Sequence, residues 1–432
     1  MFRSLVLALA VLAPAAAQAQ GSPRETVGAI AAEIRDTYFS VERGDAIADA
    51  LEAEAAAGKY DKLTDPRDLA ASLSDRLRPE DAHFNVLWSA EPMGPPPAAG
   101  PGGAGPRHPG PPPAQQAGLN PERLSNYGFV NVQVLPGNIG LIEMRSFADI
   151  DFDDPKDPAR RAADAALSLV ANADAVIFDL RNNGGGSPGM VGYLVSAFTP
   201  ADANIYNVFH SRQGTRDEKP GEFYASPRLD VQLYVLTSGR TGSAAEALPY
   251  TLQAARRATI VGEASGGAAN PGGVAPIPGG FRVFISGGSP INPVTGKNWE
   301  GTGVLPDVAV PASDALNVAQ ARALDAIVAA DARRTDAAWA RQALNPPAKP
   351  AAALSAYAGN YGSLSVALNS DRLEVRRGRR PPLALSPLGG DVFAVATDPL
   401  AHFVFERDGA GKVIAVEQRD PFGPGQRQRR DP

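Results

Sequence analysis

Ala175-Val-Ile-Phe-Asp179-Leu-Arg-Asn-Asn183-Gly184-Gly-Gly186 and Leu233-Tyr-Val-Leu-Thr-Ser-Gly-Arg-Thr-Gly242-Ser243-Ala-Ala-Glu246-Ala-Leu decide the reading of this 432-residue chain. Each begins as a short apolar run and ends in small residues. Runs of that length, bounded by turn residues, read as buried strands. Each strand leads into a turn and then a helix. The first turn carries three consecutive glycines, whose backbone N–H groups no side chain obstructs. The second sets one hydroxyl, that of Ser243, at a helix N-terminus, where the helix dipole favours negative charge.

Around these two segments the pattern is α/β. Phe129 to Val134 and Ile139 to Met144 flank Pro136-Gly137-Asn138, a hairpin signal. Helices are expected over 153–172, 188–198 and 243–256, with further strands at 259–261 and 281–285. A last helix shows Leu316, Ala319, Ala323 and Ile327 on one face. Strands alternating with helices predict a mixed sheet with covering helices.

The flanks differ from this core. Val27, Ile30, Ile34 and Tyr38 recur at helical spacing. Asp45 reads as an N-cap before Ile47 and Leu51, with Gly58 as a stop, and Asp65-Pro66 opens a third helix with Leu69, Leu73 and Leu77. Phe84 to Trp88 alternates like a strand. Beyond Pro346-Pro-Ala-Lys-Pro, short alternating runs separated by turn residues predict a small antiparallel β domain. The expected boundaries are 1–19, a secretory signal; 20–91, a helical subdomain; 92–120, a Pro/Gly-rich linker; 121–335, the α/β core; 336–350, a linker; and 351–432, the β domain.

The signal reading rests on Arg3, the apolar run Ser4 to Ala13 and the small-x-small site Ala15-Ala-Ala17-Gln-Ala19. That run is shorter than the ~20 residues a spanning helix needs, and no later stretch qualifies, so no membrane span is expected. Cysteine is absent, which excludes disulfides and thiol chemistry. A cleaved signal without disulfides suits a periplasmic or secreted protein. The four histidines, His83, His108, His210 and His402, form no metal-ligand cluster in sequence, so neither a metal nor a cofactor is expected. A net charge of −6 gives no reason to expect nucleic acid. Arg376-Arg377-Gly-Arg379-Arg380 and Arg427-Gln-Arg429-Arg430 read as solvated loop charge, with anionic polymers as the alternative partner.

A nucleophile beside a ready-made anion hole is what acyl transfer needs. Ser243-Ala-Ala-Glu246 also reads as a capping box, in which the hydroxyl only satisfies helix N–H groups. The glycines likewise admit a plain tight turn. The GxxxxGK[ST] spacing of a phosphate loop is missing. From these two segments alone, both readings stay open.

Taken jointly with other stretches, these residues resemble the tail-specific, or C-terminal processing, serine peptidases. Within them they resemble the branch typified by the tricorn core protease and the interphotoreceptor retinoid-binding protein repeats. The further stretches are Ile139 to Phe147, Ile260-Val-Gly-Glu263 and Trp299-Glu-Gly-Thr-Gly-Val304-Leu-Pro306-Asp307. The resemblance implies a ClpP/crotonase-like core and hydrolysis of peptide bonds through an acyl-enzyme on Ser243. One branch activates its serine with a lysine about twenty-five residues downstream, but Glu263 to Pro271 contains none. The other uses a histidine in an Asp-Gly-His-like motif and a glutamate before Gly-Val-x-Pro-Asp. Asp81-Ala82-His83 and Glu300 match it, which implies His83 as general base and Glu300 as orienting carboxylate. Lys297 is the runner-up base. The oxyanion hole would come from the N–H of Ala244 and that of Gly185, with Gly186 as the substitute. The peptide-binding PDZ domain of many members is replaced here by the Pro/Gly stretch. Substrates would be peptides or proteins. The rival reading is a non-catalytic binding protein for an apolar ligand or peptide on the same scaffold. Sequence sets no oligomeric state.

Overall fold

A computed structural model describes residues 21–90, 120–345, 348–423 and 425–432. The secretory signal and the Pro/Gly-rich linker, with His108, lie outside them. The chain divides into two compact units. One comprises Met1–Pro106, His210–Thr215 and Asn270–Ser289, and the other takes the rest.

The first unit has three helices and a three-stranded sheet. Helix Pro23–Thr37 starts where a Ser22/Glu25 capping box satisfies its first amides and proline occupies the first turn. Helix Pro66–Leu77 uses Asp65 as its N-cap in the same manner. Helix Val41–Ala56 starts earlier than expected. Its cap is Ser40, which accepts from the Arg43 amide, so Asp45 lies within the helix. A serine after the aromatic pair Tyr38-Phe39 supplies the cap oxygen before Asp45 is reached.

Strand Asn85–Trp88 pairs antiparallel with Phe281–Ser286, Val86 opposite Val283. That strand pairs in turn with Gly272–Ile277. The helices bury Ile30, Ile34, Leu51, Leu73 and Leu77 against Val283 and Ile285. The segment 270–289, read from sequence as part of the core, therefore completes the sheet of this unit.

The second unit is built on a six-stranded mixed sheet. Its order is Val308–Ala309, Thr259–Gly262, Gln232–Thr237, Ala175–Asp179, Ile139–Met144 and Phe129–Leu135. All neighbouring pairs are parallel except the last, the expected hairpin. Parallel sheets are covered on both faces, and the period-2 alternation of Ala175–Asp179 shows it. Val176 and Phe178 join a core that includes Leu167, Met190, Leu194, Leu248 and Leu252. Ala175 and Ile177 face Ala319, Ala323, Leu324 and Ile327. Helices Pro158–Leu169, Pro188–Ser196 and Ala244–Ala254 thus cover one face and Ala315–Ala330 the other. Each large side chain so buried is worth about 1.5–3 kcal/mol. No helix among the described residues is long and apolar enough to cross a membrane.

Residues 335–343, expected in a linker, form a helix instead. Ala337 and Ala340 bury against the Leu324 face, and Trp339 stacks on His402 at 3.8 Å. Ala348–Pro350 then pairs parallel with strand Leu383–Gly390.

Strands from Gly359–Tyr361 to Gln426–Arg429 form an antiparallel meander, each paired with the next. The Asp431 amide donates to the Asn360 carbonyl at 2.9 Å, which brings the last strand back to the first. The result is a near-barrel, and its inside is filled. Phe393 meets Tyr357 and Phe405 edge-on at 4.9 and 5.5 Å between ring centres. Phe393→Ala should therefore cost about 3–5 kcal/mol. Denaturant unfolding followed by near-ultraviolet circular dichroism of the full chain would show it as a transition at lower denaturant.

Candidate active site

Strands Ala175–Asp179 and Gln232–Thr237 run parallel with Ile177 opposite Tyr234. Their carboxyl ends therefore deliver two turns side by side, where open α/β sheets place their ligands. Three hydrogen bonds lace the turns together. Ser238 Oγ donates to the Arg181 carbonyl at 2.6 Å and Thr241 Oγ1 to the Leu180 carbonyl at 2.9 Å. The Gly242 amide donates to the Asn183 carbonyl at 3.1 Å. Asp179, at the end of its strand, grips Arg181 through both carboxylate oxygens at 2.9 and 2.6 Å.

Ser243 follows at φ 55°, ψ −126°, immediately before helix Ala244–Ala254. These are the dihedrals of a sharp, strained strand-to-helix elbow, rare for a residue with a Cβ. The Glu246 amide donates to the Ser243 carbonyl at 2.8 Å, and Ser243 is only partly buried.

Glu246 shows why the elbow holds. Sequence reading kept it as a helix-start residue, but its side chain is fully buried and accepts four hydrogen bonds. The donors are the Ser243 amide at 2.8 Å, Ser265 Oγ at 2.6 Å, the Gly267 amide at 2.6 Å and the Ala268 amide at 2.9 Å. The capping-box spacing was its only sequence signal, and that spacing does not reveal burial.

The glycine turn packs directly on the elbow. Gly185 has φ +113°. A Cβ there would lie 2.9 Å from Ser243 Cβ, 2.9 Å from the Gly242 carbonyl oxygen and 3.2 Å from the Ala244 amide nitrogen. Only glycine leaves that space open. The Gly185 amide donates to Asn183 Oδ1 at 2.9 Å. The Gly185 carbonyl accepts from the Phe147 amide, also at 2.9 Å. A trans peptide points its N–H opposite its carbonyl, so the Gly186 amide faces away from Phe147. Among the described residues no hydrogen bond engages the Gly186 amide or that of Ala244, a first-turn amide that a helix cannot satisfy itself. Asn183 is wholly buried, and its Nδ2 has no partner among the described residues.

Glu300 belongs to the same unit. Its Oε2 accepts the Ala269 amide at 2.8 Å, one residue beyond the Ala268 amide that holds Glu246. The backbone of the next residue, Gly301, donates to the Gly267 carbonyl at 2.8 Å. One loop, 265–269, thus holds both carboxylates. Asp307, at the end of Gly-Val-x-Pro-Asp, serves the sheet: it accepts from the Ile260 amide at 2.7 Å and Gln253 Nε2 at 2.9 Å. Lys297 is exposed on the turn closed by Asn292.

His83 belongs to the other unit and is described there. Its amide donates to Asp81 Oδ1 at 3.0 Å, and Nδ1 lies 3.6 Å from the same oxygen. The ring stacks on Phe284 at 5.7 Å. Burial alone would push the Asp81 carboxyl up, but hydrogen bonds from His83 and Ser286 outweigh it and hold the group at about 2. Because the folded value lies below the unfolded ~3.9, this carboxylate's contribution to stability is complete above about pH 4. It is lost as pH falls toward 2.

Residues 138–310 match the model of peptidase family S41. Similar solved structures include a photosystem II D1 C-terminal processing protease, at 22% identity over 40% of this chain and 42% of that one, with a TM-score of 0.33. Mature CPAF is similar at 17% identity over 43% of this chain and 50% of that one, TM-score 0.33. The tricorn protease is similar at 17% identity over 42% of this chain and 16% of that one, TM-score 0.28. The chain spans half or less of the length of each of these structures.

Two substitutions test the elbow. Glu246→Ala strands four donors, two of them buried, at about 1–3 kcal/mol for each buried one, and should lower stability by at least ~2 kcal/mol in chemical denaturation. Gly185→Ala fills the space beside Ser243. With the Cβ 2.9 Å from the Gly242 carbonyl oxygen on a backbone of φ +113°, the variant should unfold at lower denaturant than the parent chain.

Proposed function

We propose, from the match of residues 138–310 to the model of peptidase family S41, that this chain is a serine peptidase with Ser243 as its nucleophile, His83 as its general base and Glu300 as its orienting carboxylate. The oxyanion hole is formed by the amides of Ala244 and Gly186, with Gly185 the glycine that keeps the space open. The observation that carries this reading is the elbow: a serine at φ 55° on a helix N-terminus, against a glycine with no room for a Cβ. A core arranged like that of ClpP and the crotonases fits the parallel strands and their covering helices. The pattern of residues 1–20 supports export to the periplasm or the medium.

Ser243 Oγ attacks the scissile carbonyl while its proton passes to His83 Nε2. Negative charge builds on the former carbonyl oxygen, where the helix N-terminus and the two amides stabilise it. Collapse breaks the C–N bond, and the imidazolium gives its proton to the departing amine. Water then attacks the acyl-serine with His83 again taking the proton, which releases the acid and restores the hydroxyl.

The test is fluorophosphonate labelling and peptide hydrolysis by the mature chain, beside Ser243→Ala and His83→Ala. Loss of labelling in both variants is expected, with kcat down on the order of 10⁶-fold for Ser243→Ala. Peptidase activity unchanged in Ser243→Ala would overturn the proposal. Labelling lost with Ser243 but kept in His83→Ala would displace the base, with Lys297 the next residue to replace.

A further inference from the structure

We infer that the edge strand Phe129–Leu135 is an interaction surface for a second copy of this chain, the two strands pairing antiparallel about a two-fold axis at Val132. The inference is independent of the roles proposed for Ser243, His83 and Glu300.

Phe129–Leu135 ends the six-stranded sheet and pairs with Ile139–Met144 on one side alone. An edge strand turns part of its N–H and C=O groups away from the sheet, a template for pairing with another chain. Among the described residues no backbone hydrogen bond from outside that hairpin reaches residues 130–135. Natural sheets blunt such an edge with lysine, with proline or by making it very short. The opposite edge of this sheet is short, the two residues Val308–Ala309. Phe129-Val-Asn-Val-Gln-Val-Leu135 is seven residues long and carries neither a charge nor a proline. Its one bulge lies between Phe129 and Asn131, and residues 131–135 keep an unbroken register.

The order of side chains points to a second copy as the occupant. Val130-Asn-Val132-Gln-Val134 reads nearly the same in both directions. Antiparallel pairing of two copies about Val132 sets Val130 of one against Val134 of the other, Asn131 against Gln133, and Val132 against itself. β-Branched residues then face each other on one side of the seam and amides on the other, and no like charges meet. Ladder bonds alone make an interface too small to hold two chains together. The ends of this strand add apolar surface. Val130 and Val134 are 48% and 50% exposed. Leu124, on the short helix Pro121–Leu124 that leads into the strand, is 68% exposed. Phe422, which lines a cleft with Val134, is 80% exposed. The two-fold carries the Phe422 end of one copy to the Leu124 end of the other, and it makes that contact twice.

The chain has no cysteine, so an introduced thiol has only its own copies to meet. At the two-fold, residue 132 faces itself across about 4.5–5.5 Å between Cα atoms, within reach of a disulfide. Mild oxidation of Val132→Cys in the full chain, at micromolar concentration, should give a covalent dimer on a non-reducing gel. Val130→Cys faces residue 134 of the other copy and should stay uncross-linked, whereas Val130→Cys/Val134→Cys should cross-link. Should Val132→Cys not fold, that double variant, at two exposed positions, carries the test. Sedimentation equilibrium of the parent chain should show a dimer. Val134→Lys should raise its dissociation constant at least ~10-fold, with an unchanged circular dichroism spectrum. A parent chain that stays monomeric overturns the inference, and binding of a synthetic extended peptide by that monomer would assign the edge to peptides instead. A dimer that Val134→Lys leaves intact overturns it as well, as does cross-linking of Val130→Cys as readily as of Val132→Cys.

Discussion

Everything chemical in the larger unit depends on one pairing, that of Ala175–Asp179 with Gln232–Thr237 in parallel register. Parallel neighbours must each be reached by a crossover, and their carboxyl ends must emerge together. That constraint puts a glycine turn beside a serine turn. The lacing bonds of Ser238, Thr241 and Gly242 to the 180–183 backbone then remove the freedom left to the two turns. The strain at Ser243 is held by structure on both sides, which is the condition for an outlying φ/ψ to persist at about 1–3 kcal/mol each.

Glu246 supplies the third side. A fully buried carboxylate is expensive unless its oxygens are satisfied, and four donors satisfy this one. Those donors come from the elbow and from loop 265–268, so the group joins the Ser243 backbone to the loop whose next residue holds Glu300. The geometry proposed for the oxyanion hole thus depends on a side chain that contacts neither substrate nor nucleophile oxygen. Loss of that carboxylate acts on stability first and on reactivity through it.

How much of this was legible depended on range. The buried strands, both turns and most helix starts follow from local chemistry: apolar runs, glycines and caps with proline in the first turn. Ser243 and Gly185 stood out because small residues after a strand leave the backbone open to close approach, but the commitment of the Gly185 amide to Asn183 carries no local mark. Glu246 was not, since a capping box has the same spelling whether its carboxylate faces water or a loop twenty residues downstream. The strand pairing of Val86 with Val283 carries no local mark, so residues 270–289 read as part of the core. Asp45 and the helix at 335–343 failed for a smaller reason. A cap residue and a proline run were each given more weight than the apolar pattern beside them.

The satisfied state of Glu246 also narrows what can activate Ser243. A carboxylate whose oxygens already accept three backbone amides and a hydroxyl has no capacity left for a proton relay. Its Ser243 contact is to the amide, not the hydroxyl. Asp179 is committed to Arg181, and Asp307 to Ile260 and Gln253. Between Glu263 and Pro271 there is no lysine, and Lys297 sits exposed on its turn. Glu246, Asp179 and Asp307 therefore serve as anchors.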